Sequence, residues 1–182
     1  MTPEELLKIQ AMIAATCTSQ SSQWVPALAG IFGALVGAIA SFIPNLIVES
    51  HRRRKEACLV EASLIAEMTA LVEVAQERNY LSSLEQVISH LETMPAGSEL
   101  TFRANIPAHY SRVYQANSHR IGIIEQTKAT DIIRFHQLVD SVVQDVSEGG
   151  VLSGGGVIDA FKENHQILSR AFAISRKYAG RT

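Results

Sequence analysis

The sequence predicts an all-α protein: one N-terminal transmembrane helix that continues into a long cytosolic helix, packed in an elongated antiparallel helical bundle. Three observations predict it. No charged side chain occurs between Lys8 and Glu49. A basic cluster, Arg52-Arg53-Arg54-Lys55, follows that gap almost at once. Beyond the cluster, apolar residues recur at helical spacing through most of the chain. The length of 182 residues suits one domain, and a formal net charge of -2 gives no global signal for nucleic acid. The expected organisation is residues 1–23 as a short extracytoplasmic segment and linker, 24–48 as the span, and 49–182 as a cytoplasmic helical bundle.

The span, Trp24 to Val48, exceeds the ~20 apolar residues that a hydrocarbon core requires. It holds twelve residues of the Leu/Ile/Val/Phe class. Near a helix centre these contribute about -4 to -7 kcal/mol towards insertion. Pro26, Pro44 and Asn45 subtract from this but lie near the ends, whereas Ser41 lies further in. Pro26 suits a first turn, and Pro44 is expected to bend or loosen the last turns. A buried core helix of a soluble protein is the competing reading, but such helices are shorter and bounded by charge on both sides. Because the start, MTPEELLK, is acidic and the apolar run is long and begins late, the segment is expected to be retained and not cleaved as a signal peptide.

Orientation follows from the flanks. Arg52, Arg53, Arg54 and Lys55 stand on one side, and only Lys8 with Glu4 and Glu5 on the other. The positive-inside rule puts the N-terminus outside and the C-terminal domain in the cytoplasm, in a single-pass inner-membrane topology. The same cluster meets anionic lipid headgroups. A nucleic-acid patch is the rival reading of four basic residues, and none is expected here.

Small residues within the span are ordered. Gly33, Gly37 and Ser41 stand four apart, and Gly30, Ala34 and Ala38 form an adjacent row. Such rows let two helix backbones approach closely, and packing of this kind drives association in lipid. With no second span in the chain, the partner is another copy or another membrane protein, and a homo-oligomer is expected. The span holds no ionisable residue at mid-depth, the usual mark of an ion path.

Elsewhere, Thr2, Pro3 and Glu5 start a short amphipathic helix over residues 2–15, followed by a polar linker from Thr16 to Gln23. From Glu49 to about Thr93 no Pro or Gly occurs. Leu64, Met68, Leu71 and Ala75 form a seam, which resumes after Arg78 and Asn79 at Leu81, Leu84, Ile88 and Leu91. Thr93 to Pro107 reads as a loop with a short extended piece at Leu100–Phe102. Further helices are expected from Pro107 to about Ile121, from about Lys128 to Val146, and from Val157 to Tyr178. Four cytosolic helices with short connections give the bundle. Ser147 to Gly156 reads as a flexible glycine-rich linker.

No pattern carries chemistry. The glycine loop lacks the Lys of a phosphate cradle and follows a helix. The six histidines include no HxxxH or HExxH spacing, so no metal or cofactor is expected, and each is placed at the surface or half-buried. Cys17 and Cys58 flank the span and cannot pair within one chain across a bilayer; a disulfide between two copies of Cys17 stays open. Nothing argues for an enzyme.

One stretch is more specific: Tyr114, Asn117, Ile121 and Gly122, then Ile132, Ile133, Arg134 and Phe135. Asn117 in mid-helix and Gly122 at a helix end make a corner, with Gly122 free to adopt the left-handed conformation. These residues resemble the pattern Y-x-x-N-x-x-x-I-G followed by I-V/I-R-F-Y, found in a widespread class of bacterial and phage-borne proteins with one or two spans and a helical cytosolic region. His136 stands where that class has Tyr. Some members resemble membrane effectors that accompany anti-phage defence systems, including retrons. The expected function is a membrane-anchored, non-enzymatic interaction or scaffold protein whose cytosolic domain binds a protein partner. The alternative is an oligomerising, membrane-disrupting effector of the pore type.

Overall fold

A computed structural model describes residues 4–5, 7–8, 11–12 and 24–180; side chains of residues 24–27 and 39–46 fall outside this description. The expected N-terminal cap at Thr2 and Pro3, the linker 16–23, Cys17, and the side chains of Pro26, Ser41, Pro44 and Asn45 therefore lie outside the described residues. Residues 4–5, 7–8 and 11–12 are helical, as the amphipathic N-terminal segment predicts, and Leu7 and Met12 are exposed.

The described residues are helical apart from turns, short 3-10 and extended pieces, and one isolated antiparallel bridge between Leu100 and Gly156. Helix α1 spans Trp24–Glu77, α2 Tyr80–Glu92, α3 Arg112–Asn117, α4 Gln126–Val146, α5 Val151–Gly155 and α6 Ile158–Arg176, with a 3-10 helix at Ser118–Ile123 between α3 and α4. The chain divides into two compact units, Met1–Arg52 and Arg53–Thr182.

In the first unit, the helical assignment of α1 continues through Pro44. Residues 28–38 are all exposed, large apolar ones included. Among the described residues no helix is long and apolar enough to cross a membrane. The expected span at Trp24–Val48 includes the side chains that fall outside that description.

In the second unit, α1 becomes one-sided. Val60, Leu64, Met68 and Val72 are buried at a spacing of four, while Ala62, Ala66 and Ala70 stay in solvent.

 The expected seam thus holds at Leu64 and Met68, but Val60 and Val72 complete it, and Leu71 and Ala75 are only half-buried. The phase shift at Arg78–Asn79 is a break in the chain's path through the helix. Asn79 adopts φ 54 and ψ 35, the left-handed region that Asn tolerates better than most side chains. Its carbonyl then accepts the Ser83 N–H at 2.9 Å and the Ser82 hydroxyl at 3.0 Å, which starts α2. Leu84 and Leu91 are buried on α2, with Leu81 and Ile88 beside them.

After α2 the chain runs extended. Leu100 exchanges both backbone hydrogen bonds with Gly156 (3.1 and 2.9 Å), the Phe102 N–H donates to the Leu152 carbonyl at 2.7 Å, and the Ala104 N–H to the Val146 carbonyl at 3.3 Å. Leu100, Phe102, Ala104 and Ile106 turn inward while Thr101, Arg103 and Asn105 are exposed, the period of two that an extended segment imposes. The extended piece is thus longer than the Leu100–Phe102 expected.

Two expectations need correction. The segment 147–156 is no flexible linker: it contains α5, buries Leu152 and Ser153, and packs its backbone tightly. A Cβ on Gly150 would lie 2.1 Å from the Gln144 carbonyl oxygen, and one on Gly156 would lie 2.8 Å from Leu152 and 3.0 Å from Phe161. Glycine is required at Gly150, where neighbouring backbone leaves no room for a side chain, and fits closely against two side chains at Gly156. The helix expected from Pro107 to Ile121 is instead a turn at 107–111, then the six-residue α3, then the 3-10 helix. The last helix, α6, buries Phe161, Leu168, Ala171 and Phe172 against α4 and α2.

Candidate functional site

Three groups of expected site residues can be placed. On α1, Gly30, Gly33, Ala34, Gly37 and Ala38 are helical and exposed; Ser41 is helical, with its side chain outside the described residues. A Cβ built on Gly30 or Gly33 meets nothing within 4 Å. Arg52, Arg53, Arg54 and Lys55 continue the same helix and are exposed.

The corner residues do not act as one group. Asn117 donates its side-chain amide to the Val113 carbonyl at 2.9 Å, closing the end of α3. Ile121 is buried, and Gly122 is exposed in the 3-10 helix. Gly122 does not adopt a positive φ, contrary to the left-handed stop expected of it. The chain turns instead at Ile124, where the backbone becomes extended. Phe135 is fully buried, whereas its neighbour Arg134 points to solvent.

Tyr114 has a partner that the sequence did not offer. Its ring stacks on His136 with centroids 3.9 Å apart and planes 17° from parallel, and Phe135 meets the same imidazole edge-on at 5.3 Å. His136 is completely buried, contrary to the surface or half-buried position expected of the histidines. Burial pulls its pKa down to about 4. The ring is therefore neutral at pH 7, and the Glu67 carboxylate 3.8 Å away does not form an ion pair with it. Glu67 is engaged elsewhere. Its two oxygens accept the Val113 and Tyr114 backbone N–H groups at 2.7 and 2.8 Å, at the first turn of α3. Ser111, at the N-cap position, makes no side-chain cap, so a carboxylate from α1 replaces the usual local one. Hydrogen bonds to a charged group contribute about 1.5–3 kcal/mol each.

The same unit contains an apolar cleft of about 280 Å³. Leu71 and Val72 of α1, Leu84 of α2, Phe102 and Ile106 of the extended segment, Val139 and Val142 of α4, and Phe172 of α6 form its walls. Its polar lining consists of Arg78, Tyr80 and Tyr110. The Arg78 guanidinium donates to the Tyr80 hydroxyl at 3.2 Å. The Tyr110 hydroxyl is committed to the Asp140 carboxylate, whose pKa burial raises. The cleft was missed because its walls come from five segments that sequence periodicity treats separately.

Among the described residues no group of His, Cys, Asp or Glu is placed to hold a metal ion. No protein-family model matches the chain, and neither a curated protein nor a solved structure matches it.

Proposed function

We propose that the protein is a single-pass membrane-anchored interaction protein, with no catalytic role, whose helical domain lies in the cytoplasm and binds a protein partner. The observation that carries this reading is the surface of α1 over residues 28–38. Leu28, Ile31, Phe32, Leu35 and Val36 are each more than half exposed, at 53, 58, 66, 54 and 64%. They share one broad face of the helix, Ala29, Gly30, Gly33, Ala34, Gly37 and Ala38 make up the rest of its circumference, and no charged residue occurs from 9 to 48, so no side of the stretch is polar. A helix that is apolar all round needs an apolar surrounding. The chain's own described residues do not supply it, which weakens the competing reading of a core helix. Lipid does, and the exposed Arg52, Arg53, Arg54 and Lys55 then stand at the cytoplasmic headgroups.

The two cysteines give the test. In intact cells a membrane-impermeant maleimide should label Cys17 and spare Cys58, which is exposed and should react only after lysis. The protein should also stay with membranes through an alkaline carbonate wash. Release by carbonate, or labelling of Cys58 in intact cells, would overturn the reading.

A second reading rests on the room beside Gly30 and Gly33, on the strip that also carries the small residues Ala34 and Gly37. Assembled copies packed along that strip could act as a membrane-disrupting effector, in line with the resemblance of the Tyr114–Phe135 region to phage-defence membrane proteins. Expression should then arrest growth and admit an impermeant dye, and Gly37→Leu should abolish both.

A further inference from the structure

We propose that the apolar cleft of the second unit is a binding site for a free fatty acid of medium chain length, with the hydrocarbon chain in the cleft and the carboxylate at Arg78. The inference goes beyond the anchoring reading and stands without it. It rests on three features. The walls present mostly aliphatic and aromatic carbon around about 280 Å³. Taking a methylene at about the volume share of a water molecule, roughly 30 Å³, the cleft accommodates a chain of about nine or ten carbons. The polar lining is small and carries one charge, that of Arg78.

Arg78 is exposed, and among the described residues its guanidinium has a hydrogen bond to the Tyr80 hydroxyl and no ion-pair partner. A planar fork of N–H donors at the edge of an apolar cleft matches a carboxylate. The Tyr80 hydroxyl accepts from Arg78 and retains its own proton to donate to the same oxygens. Tyr110 is held by Asp140, so it closes the cleft without competing for the head group. One cation beside one apolar volume fits a ligand with one head and one tail. An amphipathic helix would bring several side chains and several charges to a cleft that holds two or three large side chains.

The test uses the full chain in lipid nanodiscs, with protein-free nanodiscs as the blank, and follows decanoate labelled with carbon-13 at the carboxyl by NMR. A chain-dependent resonance should saturate at one ligand per protein. Affinity should rise about fourfold per methylene and level off near ten carbons; a continued rise through sixteen carbons indicates partition into lipid and overturns the proposal. Arg78→Gln should weaken decanoate about tenfold and leave decanol unchanged. Equal binding of decanoate and decanol, with Arg78→Gln neutral, overturns head-group recognition and favours an apolar partner such as a helix. Val142→Phe and Val139→Phe should each remove binding while far-ultraviolet circular dichroism retains the helical signal. Binding that survives both places the ligand elsewhere. Absence of any saturable signal with the unaltered chain rejects the site outright, whatever the maleimide experiment finds.

Discussion

Residues 28–38 and residues 60–72 belong to the same helix, yet they dispose their apolar side chains in opposite ways. In the first stretch every residue is exposed, with large apolar groups on one arc and only glycine and alanine on the rest, so that no side is polar. In the second, Val60, Leu64, Met68 and Val72 are buried, and the intervening positions carry Glu61 and Glu67, whose carboxylates meet Lys128 and the α3 backbone. A one-sided apolar face finds its cover within the chain. An all-round one must find it outside. The first stretch is helical despite three glycines, each costing about 1 kcal/mol relative to alanine, whereas the second has none.

The comparison can be broken most severely in the second stretch's core. Phe135→Ala removes a completely buried ring and should cost about 4 kcal/mol in chemical denaturation of the folded domain. An equivalent truncation at the exposed Phe32 should leave domain stability unchanged, because that ring has no cover to lose. Next in size is Leu35→Arg. If the stretch spans a membrane as proposed, this replaces a favourable contribution by a charge, a swing of about 3 kcal/mol against insertion, and should move protein into the carbonate-released fraction.

Acid should discriminate the two stretches as well. His136 has its folded pKa lowered to about 4 from 6.5. The unfolded chain therefore binds a proton that the folded one refuses as the pH falls below 6.5. Stability is full above that value, declines between pH 6.5 and 4, and levels off below, with a total loss of about 3 kcal/mol from this group. Denaturation midpoints across that window should follow the decline, and His136→Phe should flatten it. The smallest effect belongs to the surface. Lys162 and Glu92 pair at 3.0 Å with both side chains half exposed, so Lys162→Ala should change stability by less than about 0.5 kcal/mol.

The helical class and the approximate positions of the long helices were legible because 3.6-residue periodicity is local. The phase shift at Arg78–Asn79 was legible for the same reason, but the sequence left open whether the helix bends there, and the break itself depends on the left-handed Asn79. The extended piece was read short, although the alternation from Leu100 to Ile106 carried it. What stayed hidden depends on distant partners. Nothing near Gly150 announces the Gln144 carbonyl against it, because glycine in a loop and glycine under a close contact have the same local sequence. His136 looked like a substitute for Tyr in a resembling pattern, and its stacking on Tyr114 requires α3 and α4 to be already placed. Gly122 was assigned the wrong role for a simpler reason: a helix can also end by tightening into 3-10 turns, which need no positive φ.

The clasp between Glu67 and α3 also bears on the order in which the domain assembles. Glu67 and Val113 are 46 residues apart, so the two hydrogen bonds close a long loop that contains all of α2 and the extended segment. Closing it costs entropy before it returns any contact energy, and α3, with six residues, is too short to persist alone. The first turn of a short helix ordinarily exchanges its amide hydrogens quickly. Here the Val113 and Tyr114 amides should exchange as slowly as those of the core helices, since exposing them requires α1 to let go.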